Sequence, residues 1–581
     1  MSHLSATGAR TRLAIPQGFG LKAFVLVLLV VLVVAPLAKV FGDTLTPAAS
    51  GVWADVLASN LSRNLFWLPL VNTLVIGVSV AAGCVIVGGF LAWLVVMTDV
   101  PFRRTIALMS TLPFMIPSFA TALAWGSLFR NSRVGGQIGF IEGLGMPVPD
   151  WLAWGLVPTL IVLIGHYYSL AFTVIAAALA TVNSDLVEAA QMTGASRSRI
   201  FSGIVLPVAL PALVAGASLT FAGAVSNFAA PALLGLPVRM QTLATRLFGM
   251  IEIGQTARGY VLAILLIVVS AVFLWIGNRV ISGRRSYATI TGKGGRAKRQ
   301  TLGGARLPLL AIAAVIGFLT TIVPVVVLIA SSLAPASAAL LSNWTLHYWI
   351  GASDPTIAQG QAGIWHNPSI LTAIGITVDL GIAVAVTASL LGLLVALVLA
   401  RYRSGPVSAV INQLSFLPLL VPGIAFGAAY IALFGAPIGP FPALYGSFWL
   451  LVLAATAYLV PFSVQTGRAV IQQVSGDLDE YARLTGAGFV RRLVAITVPL
   501  AIRGLTAGAL IVFVKIARDL SLVVLLFTPT MPLLSVLAYR YASDGFTQFA
   551  NAITVVVLVI SIAATLLANR LQSKTQPWLQ S

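Results

Sequence analysis

The feature that most constrains this chain is its series of long apolar runs. About twelve stretches are apolar over the ~20 residues that a helix needs to cross a bilayer. Only 8% of the 581 residues are charged, against ~25% in a typical soluble protein. We therefore predict an all-α integral membrane protein, which excludes a soluble enzyme, a secreted disulfide scaffold and a disordered tail protein. The predicted spans cover residues 22–41, 68–97, 105–129, 154–180, 207–234, 259–277, 307–331, 369–400, 407–434, 447–468, 499–527 and 550–568.

The basic residues indicate how the chain is oriented. The net charge of +19 arises from 34 Lys and Arg against 15 Asp and Glu. Many of these cations lie in residues 278–306, and no acid occurs between Glu252 and Asp354. The positive-inside rule places this linker in the cytoplasm. Because six predicted spans precede it, the N-terminus and the C-terminus are both predicted to be cytoplasmic. Nucleic-acid binding is an alternative explanation of the basic run, but topology accounts for the charge without it.

Residues that commonly bind metals are few and scattered. Cys84 is the single cysteine and lies in an apolar run, so an intrachain disulfide and a cysteine cluster are excluded. Histidines stand at positions 3, 166, 347 and 366 and form no HExxH pair. We therefore predict no metal site, and we expect His166 to be an interior side chain.

The two halves of the chain are copies of each other. Ser110–Pro117 aligns with Ser415–Pro422 at an offset of 305, and Glu188–Ala195 aligns with Glu480–Ala487 at an offset of 292. Both copies hold six predicted spans and begin on the same side, which is typical of a parallel repeat about an axis along the membrane normal. We predict a cytoplasmic tail (1–21), a first repeat (22–277), a basic cytoplasmic linker (278–306), a second repeat (307–570) and a cytoplasmic tail (571–581).

A proline pair interrupts the third and the ninth predicted spans. Pro113 and Pro117 in the first copy correspond to Pro418 and Pro422 in the second. Proline breaks backbone hydrogen bonds that lipid cannot replace, so such breaks face a protein interior or an aqueous cavity. Pro117 and Pro422 are thus candidates for lining a translocation pathway. The alternative is a bend that only shapes helix packing, and the sequence leaves both open.

Each copy has a distinctive cytoplasmic segment between its fourth and fifth spans, at residues 181–206 and 473–498. In the first copy, Ser184 or Asp185 can cap a short helix with Glu188 in its first turn. Gly194 then ends that helix, and a second short basic helix leads to Pro207. Two such loops at equivalent places would form a pair of knobs suited to a two-fold partner.

These loops carry a family resemblance. The first one, Glu-Ala-Ala followed by Gly194 and then Ile-Val-Leu-Pro, resembles the EAA loop of permease subunits in binding-protein-dependent ABC importers. The second loop keeps most of the pattern, with Tyr481 in place of the middle Ala and Val498 in place of the Leu. The resemblance implies a type I ABC importer permease fold whose loops act as coupling helices. It assigns ATPase coupling to Glu188, Ala189, Ala190, Gly194, Arg197, Arg199, Glu480, Ala482, Gly486 and Arg491.

The same resemblance implies partners. No P-loop occurs, since the nearest fragment around Lys293 lacks both the upstream Gly and the hydroxyl residue. The chain is therefore expected to be non-catalytic and to bind no cofactor, with ATP and Mg held by two copies of a separate ABC ATPase. A soluble solute-binding protein is the other expected partner. The expected location is the bacterial cytoplasmic (inner) membrane.

Charged residues inside the spans are candidates for the translocation pathway, because lipid disfavours them. Asp519 aligns with Asn227 at the offset of 292, so both copies place a polar side chain at the same depth. The alternative is a local ion pair between Lys515 and Asp519, one helical turn apart. With the two prolines, the predicted pathway residues are Asn227, Lys515, Arg518, Asp519, Asp379, Pro117 and Pro422.

The sequence around the eleventh span also resembles permeases of the ferric-iron uptake class. The stretch from Ala517 to Pro529 has an acid followed by Leu-Ser, a pair of leucines and a proline, as in that class. Asp519 stands where the class would have Glu, which keeps the charge but shortens its reach. Ferric iron is therefore the expected solute, with thiamine, phosphonates or sugar phosphates, and polyamines as alternatives.

Two other classes of function remain as competing hypotheses. An ion-coupled secondary transporter can also have twelve helices in parallel repeats. A channel or scaffold would need neither an ATPase nor the two glycine bends. These classes differ from an ABC importer in what drives solute movement, so transport assays separate them.

Overall fold

Helices of membrane-spanning length make up most of the fold. The computed structural model describes residues 19–46, 50–182, 184–282, 299–341, 343–402, 405–440, 442–473 and 476–571, and no β-strand occurs among them. Ten helices in these ranges can cross a membrane, and two bent pairs raise the number to twelve. The predicted all-α membrane fold is confirmed. The spans are α1 (Phe19–Thr44), α2 (Arg63–Met97), α3 (Arg103–Met115 and Ser118–Phe129), α4 (Asp150–Leu179), α5 (Ser198–Ser226), α6 (Thr256–Val280), α7 (Gly303–Ser332), α8 (Pro368–Arg401), α9 (Pro406–Leu420 and Gly423–Phe434), α10 (Phe448–Gln472), α11 (Phe489–Ala517) and α12 (Thr547–Ala568).

Short helices connect the spans at equivalent places in the two repeats. One lies between α5 and α6, and its counterpart lies between α11 and α12. At the start of each of these two helices, a leucine N–H donates to a threonine hydroxyl of a span. The Leu243 N–H donates to Thr73 Oγ1 of α2 at 2.9 Å, and the Leu534 N–H donates to Thr377 Oγ1 of α8 at 3.0 Å. The matching contacts show that both halves build the same unit. The short helices include Ser50–Leu57, Phe140–Gly143, Ser184–Met192, Leu243–Glu252, His347–Ile350, Gly476–Leu484 and Leu534–Ser543.

The proline pairs break α3 and α9 sharply. The two parts of α3 meet at 93°, and the two parts of α9 meet at 111°. At each break the proline, Pro117 or Pro422, has an extended backbone with ψ near 140° (143° and 138°), so the helix cannot continue through it. Both prolines are buried. Each bend thus lies in the protein interior, where other groups can satisfy the freed backbone.

Three spans form the centre of each repeat: α2, α4 and α5 in the first, and α8, α10 and α11 in the second. Glycines let these helices approach closely. A Cβ on Gly88 of α2 would lie 2.7 Å from the Phe172 nitrogen, and one on Gly392 of α8 would lie 2.5 Å from the Ser463 carbonyl carbon. Real Cβ atoms do not come this near to backbone, so glycine is required at both crossings.

The first span of each repeat packs against the other repeat. Span α1 contacts α9, and the Tyr430 hydroxyl of α9 donates to the Leu32 carbonyl oxygen at 2.7 Å. Span α7 contacts α3, and its Thr320 hydroxyl lies 3.1 Å from the Tyr168 hydroxyl of α4. The two sequence copies are therefore interlocked, with one helix of each placed on its neighbour.

Two spans end earlier than predicted. Span α5 ends at Ser226 rather than near 234, and α11 ends at Ala517 rather than near 527. Placing Arg518 and Asp519 inside helix eleven is therefore corrected: both lie just beyond it. In each repeat the side chain after the helix, Asn227 or Asp519, accepts a backbone N–H three residues on, an arrangement that competes with helix.

Some predicted features lie outside the described residues. They are nearly all of the N-terminal tail, the linker from 283 to 298, the C-terminal tail from 572, and the side chains of Ser184, Asp185 and Arg197.

Candidate functional site

The loop between α4 and α5 forms a compact projection, here named the first knob (residues 184–200). It consists of helix Ser184–Met192, a bend at Gly194 and a helical turn, Arg197–Ile200, that leads into α5. The Ala195 N–H donates to the Ala190 carbonyl oxygen at 3.0 Å, and the Gly194 N–H donates to Gln191 at 3.0 Å. These two bonds form a Schellman motif, whose left-handed residue is Gly194 with φ +81°.

The second knob (residues 476–492) repeats this geometry between α10 and α11. Gly486 has φ +85°, its N–H donates to the Arg483 carbonyl oxygen at 3.0 Å, and the Ala487 N–H donates to Ala482 at 3.0 Å. A Cβ on Gly194 or Gly486 would meet no atom within 4 Å. Each glycine is therefore required by backbone conformation, and the space beside it is open in this chain.

Both knobs present a large apolar side chain to solvent at the same position. Met192 is 89% exposed, and its counterpart Leu484, at the offset of 292, is 78% exposed. Tyr481 of the second knob is 71% exposed. Sequence reasoning missed these residues, because the last turn of a short helix gives no sign of which way it faces. Exposed apolar groups at the same position of both knobs are candidates for contact with a partner protein.

The remaining predicted coupling residues differ in how exposed they are. Those on the open surface of the knobs are Ala189, Arg199, Glu480 and Arg491, and those that are partly covered are Glu188, Ala190 and Ala482. The described part of the chain thus places every predicted coupling residue in one of the two knobs, with the Arg197 side chain lying outside it.

A cavity of about 450 Å³ lies beside the first knob. Glu188 and Gln191 line one side, and Arg299 of the linker and Met97 of α2 line the other. The linker is held there by backbone bonds: the Gln300 N–H donates to the Met97 carbonyl oxygen at 2.8 Å, and the Asp99 N–H donates to the Gln300 oxygen at 3.1 Å. The linker that leads into the second repeat is therefore anchored next to the first knob.

Asn227 is the centre of a buried hydrogen-bond network where α5 ends. Its amide nitrogen donates to the Ser118 hydroxyl at 2.8 Å and to the Tyr167 hydroxyl at 3.1 Å. Its amide oxygen accepts the Ala230 N–H at 3.0 Å. Because Ser118 is the first residue after the break in α3, Asn227 ties the end of α5 to that break.

Asp519 occupies the equivalent place in the second repeat. Its carboxylate accepts the Leu522 N–H at 2.7 Å, and its backbone oxygen accepts the Ser535 hydroxyl at 2.6 Å. Gly423 replaces the serine that would correspond to Ser118, so Asp519 has no matching side-chain partner there. Among the described residues, the second carboxylate oxygen accepts no hydrogen bond.

Lys515 and Arg518 lie beside the break in α3. The Lys515 ammonium is 3.8 Å from the Phe462 ring centroid and 5.3 Å from that of Phe114. Arg518 donates a hydrogen bond to the Phe114 carbonyl oxygen and stacks 5.0 Å from its ring centroid. No ion pair joins Lys515 to Asp519 in the described ranges, because the helix ends between them and the one-turn spacing is lost.

The segments that follow α5 and α11 meet at the interface between the repeats. The Phe228 N–H, next to Asn227, donates to the Ser521 hydroxyl of the second repeat at 3.3 Å. We name Asn227, Lys515, Arg518 and Asp519, with Ser521, the junction cluster. The structure thus brings together four of the predicted pathway residues, between the buried Pro117 and Pro422 of the two bends.

Asp379 and His166 are not members of the junction cluster. Asp379 of α8 is exposed and makes no hydrogen bond or ion pair within the described ranges, so it is not part of the junction cluster. His166 of α4 is buried, as expected for an interior side chain, and its ring centroid is 5.4 Å from that of Phe114. Within the described residues, no group of three or more His, Cys, Asp or Glu could hold a metal ion.

The sequence of this chain is similar to those of several known transport proteins. The chain is 24% identical over 470 residues to a ferric transport system permease protein of Actinobacillus pleuropneumoniae, covering 79% of this chain but 64% of that protein. It is 24% identical over 533 residues to a probable ABC transporter permease protein of Sinorhizobium fredii, covering 88% of both. A putative 2-aminoethylphosphonate transport system permease protein of Salmonella typhimurium is 25% identical over 185 residues, which is 32% of this chain and 64% of that protein.

The family comparison covers both repeats. The family model described as the inner membrane component of binding-protein-dependent transport systems matches residues 84–286 and 388–577. These two segments hold the two knobs and the junction cluster, and together they exceed half of the chain. The chain therefore belongs to the family of binding-protein-dependent transport system inner membrane components.

Proposed function

We propose that this chain is the transmembrane permease subunit of an ATP-driven ABC importer. It moves a solute, ferric iron in our proposal, from a soluble binding protein into the cytoplasm by alternating access. The observation that carries the proposal is the pair of knobs with the same glycine bend and the same exposed apolar residue. Two equivalent projections on one chain suit two equivalent partner subunits.

The partners follow from this arrangement. Two copies of an ABC ATPase bind the two knobs and hold the ATP and Mg, and this chain hydrolyses no ATP and binds no cofactor. Met192 and Leu484 fill apolar sites on the ATPases, while the neighbouring Glu188 and Glu480 supply charge. The knobs, the linker and both termini lie in the cytoplasm, since the basic linker ends beside the first knob. The chain resides in the bacterial inner membrane.

The junction cluster is the proposed place where the solute crosses between repeats. It combines charge, broken helices and the interface between the two halves, which is where permease domains rearrange when they open alternately. Lys515, Arg518 and Asp519 each keep part of their surface uncovered by the rest of the described chain. Movement of α5 and α11 with their knobs would open or close the cluster.

Ferric iron is supported by the relatives named as ferric transport permeases and by the Asp519 carboxylate. A phosphonate is the second candidate solute. It is favoured by the two cations beside Asp519 and by the relatives named as 2-aminoethylphosphonate permeases.

The test is reconstitution of the complex in liposomes with candidate ATPases and binding proteins. We expect Fe(III) with its binding protein to stimulate ATP hydrolysis and iron uptake. Stimulation by 2-aminoethylphosphonate and its binding protein, with none by Fe(III), would replace iron by phosphonate.

The double variant Met192→Glu with Leu484→Glu tests the docking itself. We expect it to abolish stimulation and binding of the ATPase. The matched control is Leu144→Glu, another exposed leucine that lies outside the knobs. Full ATPase binding by the double variant would count against the knobs as docking sites.

A further inference from the structure

The face opposite the knobs holds a second cavity, of about 880 Å³. It is lined by the first turns of α2, including Asn64 and Asn72, whereas the other end of α2, at Trp93 and Met97, lines the cavity beside the first knob. At ~1.5 Å per helical residue, the two cavities are about 30 Å apart. The second cavity therefore opens toward the side away from the ATPase-docking surface, and its volume suits a small molecule.

Three arginines line this cavity: Arg239, Arg246 and Arg258. Arg258 is partly neutralised, because its guanidinium lies 2.9 Å from the Asp55 carboxylate. Arg239 and Arg246 make no ion pair within the described ranges. The cavity thus carries an excess of positive charge.

Arg246 is the least satisfied of the three. One terminal nitrogen donates to the Gln241 side-chain oxygen at 3.2 Å, but its Nε is buried without a hydrogen-bond partner among the described residues. Burial also lowers the pKa of Arg246, because desolvation disfavours the charged guanidinium. A buried donor without an acceptor is costly, and an anion in the cavity would supply one.

The second repeat provides an internal comparison. At the offset of 291 that aligns Leu243 with Leu534, the three arginines correspond to Thr530, Leu537 and Phe549. The second repeat builds the same short helix and the same contact to α8 without any of these cations. The fold of the short helix therefore does not require Arg239 or Arg246, and a binding role explains their presence in the first repeat.

We propose that this cavity is a binding site for a phosphate-type oxyanion, held by the guanidinium groups of Arg239 and Arg246. Guanidinium groups bind phosphoryl oxygens through paired, charge-assisted hydrogen bonds, and the Asn64 amide adds a neutral donor. The Asn72 amide nitrogen already donates to the Gln241 carbonyl oxygen at 2.8 Å, so its second N–H is the one available to the anion. The ligand is either a small phosphate or phosphonate in solution or the headgroup of an anionic lipid, which present the same chemistry. The site goes beyond the proposed transport function, because it can be occupied without ATP or a binding protein.

The test is equilibrium binding of radiolabelled inorganic phosphate to the full chain in maltoside micelles, which contain no phosphate. We expect saturable binding that weakens about tenfold or more in each of two variants, Arg246→Leu and Arg239→Asn. Leu copies the residue at the same place in the second repeat, and Asn tolerates the left-handed backbone at position 239, where φ is +61°. Arg133→Gln, which removes an exposed arginine outside the cavity, should bind phosphate as the parent does.

A second arm distinguishes the two sources of the anion. The same measurement is made in nanodiscs of phosphatidylglycerol. An unchanged phosphate affinity identifies a soluble oxyanion as the ligand, and a reduced affinity, with lipid retained by the parent but not by Arg246→Leu, identifies the headgroup.

Two results would overturn the site: no saturable phosphate binding in micelles, or binding that survives both variants unchanged. Since Arg239 is exposed, its variant is informative even if Arg246→Leu fails to fold. Because no ATPase is present, failure here leaves the transport proposal intact, and failure of transport leaves this site intact.

Discussion

Arg518 of the second repeat donates a hydrogen bond to the backbone carbonyl oxygen of Phe114 in the first repeat. Phe114 lies in the turn of 3-10 helix before the break in α3, where the proline has removed a regular backbone partner. One repeat thus supplies the donor that the bent span of the other lacks. The hydrogen bond that satisfies this carbonyl therefore forms only when the two repeats are packed together.

We predict that Arg518→Met destabilises the chain, because an interior carbonyl loses its donor while the side-chain volume is kept. The expected loss is ~1–3 kcal/mol, seen as a lower midpoint of thermal unfolding. Arg540→Met is the control, since Arg540 is exposed and only stacks on Phe527, 4.2 Å from its centroid. Equal midpoints for the two variants would show that the bond to Phe114 contributes nothing.

We predict that Asp519→Asn keeps the fold but impairs transport. An Asn oxygen can still accept the Leu522 N–H, as Asn227 does in the first repeat, so stability should change by less than ~1 kcal/mol. The negative charge in the junction cluster is lost, and solute uptake by the reconstituted complex should fall at least tenfold. Uptake at the parent rate would remove Asp519 from the pathway.

We predict that Gly194→Trp with Gly486→Trp uncouples ATP hydrolysis from transport. Among the described residues, no atom lies within 4 Å of a Cβ at either position, so the added bulk obstructs a docked partner, at a cost of ~1–2 kcal/mol per bend for the left-handed backbone. ATP hydrolysis, binding of the ATPase and uptake are the measurements. Gly254→Trp with Gly545→Trp is the control, because these glycines also have positive φ and open space; this pair should bind the ATPase normally. Unaltered uptake in the knob variant would argue for a channel or scaffold.

We predict opposite effects from two glycines in α8. Gly392→Ala should destabilise the chain by ~1–3 kcal/mol, because the new Cβ would overlap the Ser463 backbone in α10. Gly375→Ala should be neutral or stabilise by up to ~1 kcal/mol, because its Cβ meets no atom within 4 Å and alanine favours helix. The measurement is the midpoint of thermal unfolding of each variant. It compares the cost of steric overlap at Gly392 with the gain in helix propensity at Gly375. Tolerance of both changes would mean that α8 and α10 can separate freely.

The spans, the repeat and the glycine bends were predictable because each depends on local composition or on matching of the two copies. The end of α11 was not, since it depends on Asp519 accepting the Leu522 N–H and on the Ser535 hydroxyl of the next short helix, 16 residues further on. The alternative interpretation, an ion pair between Lys515 and Asp519, required a continuous helix. The pair is not formed, because Lys515 faces Phe462 and Phe114. Aromatic partners from other spans cannot be inferred from helical spacing.

Other features depend on tertiary placement. The packing of α1 on α9 follows from contacts such as Tyr430 with Leu32, nearly four hundred residues apart (398) in the chain. Met192 and Leu484 are ordinary apolar residues by composition, and only the three-dimensional structure shows them uncovered. Asp379 was grouped with the pathway because of its charge alone, and the structure places it on an exposed face of α8.

The most direct test of the central claim is solute uptake by liposomes that contain the purified chain. We expect no uptake under a proton or sodium gradient alone, and uptake once the ABC ATPase, ATP and the loaded binding protein are added. Uptake by the isolated chain under an ion gradient would contradict the claim and identify a secondary transporter.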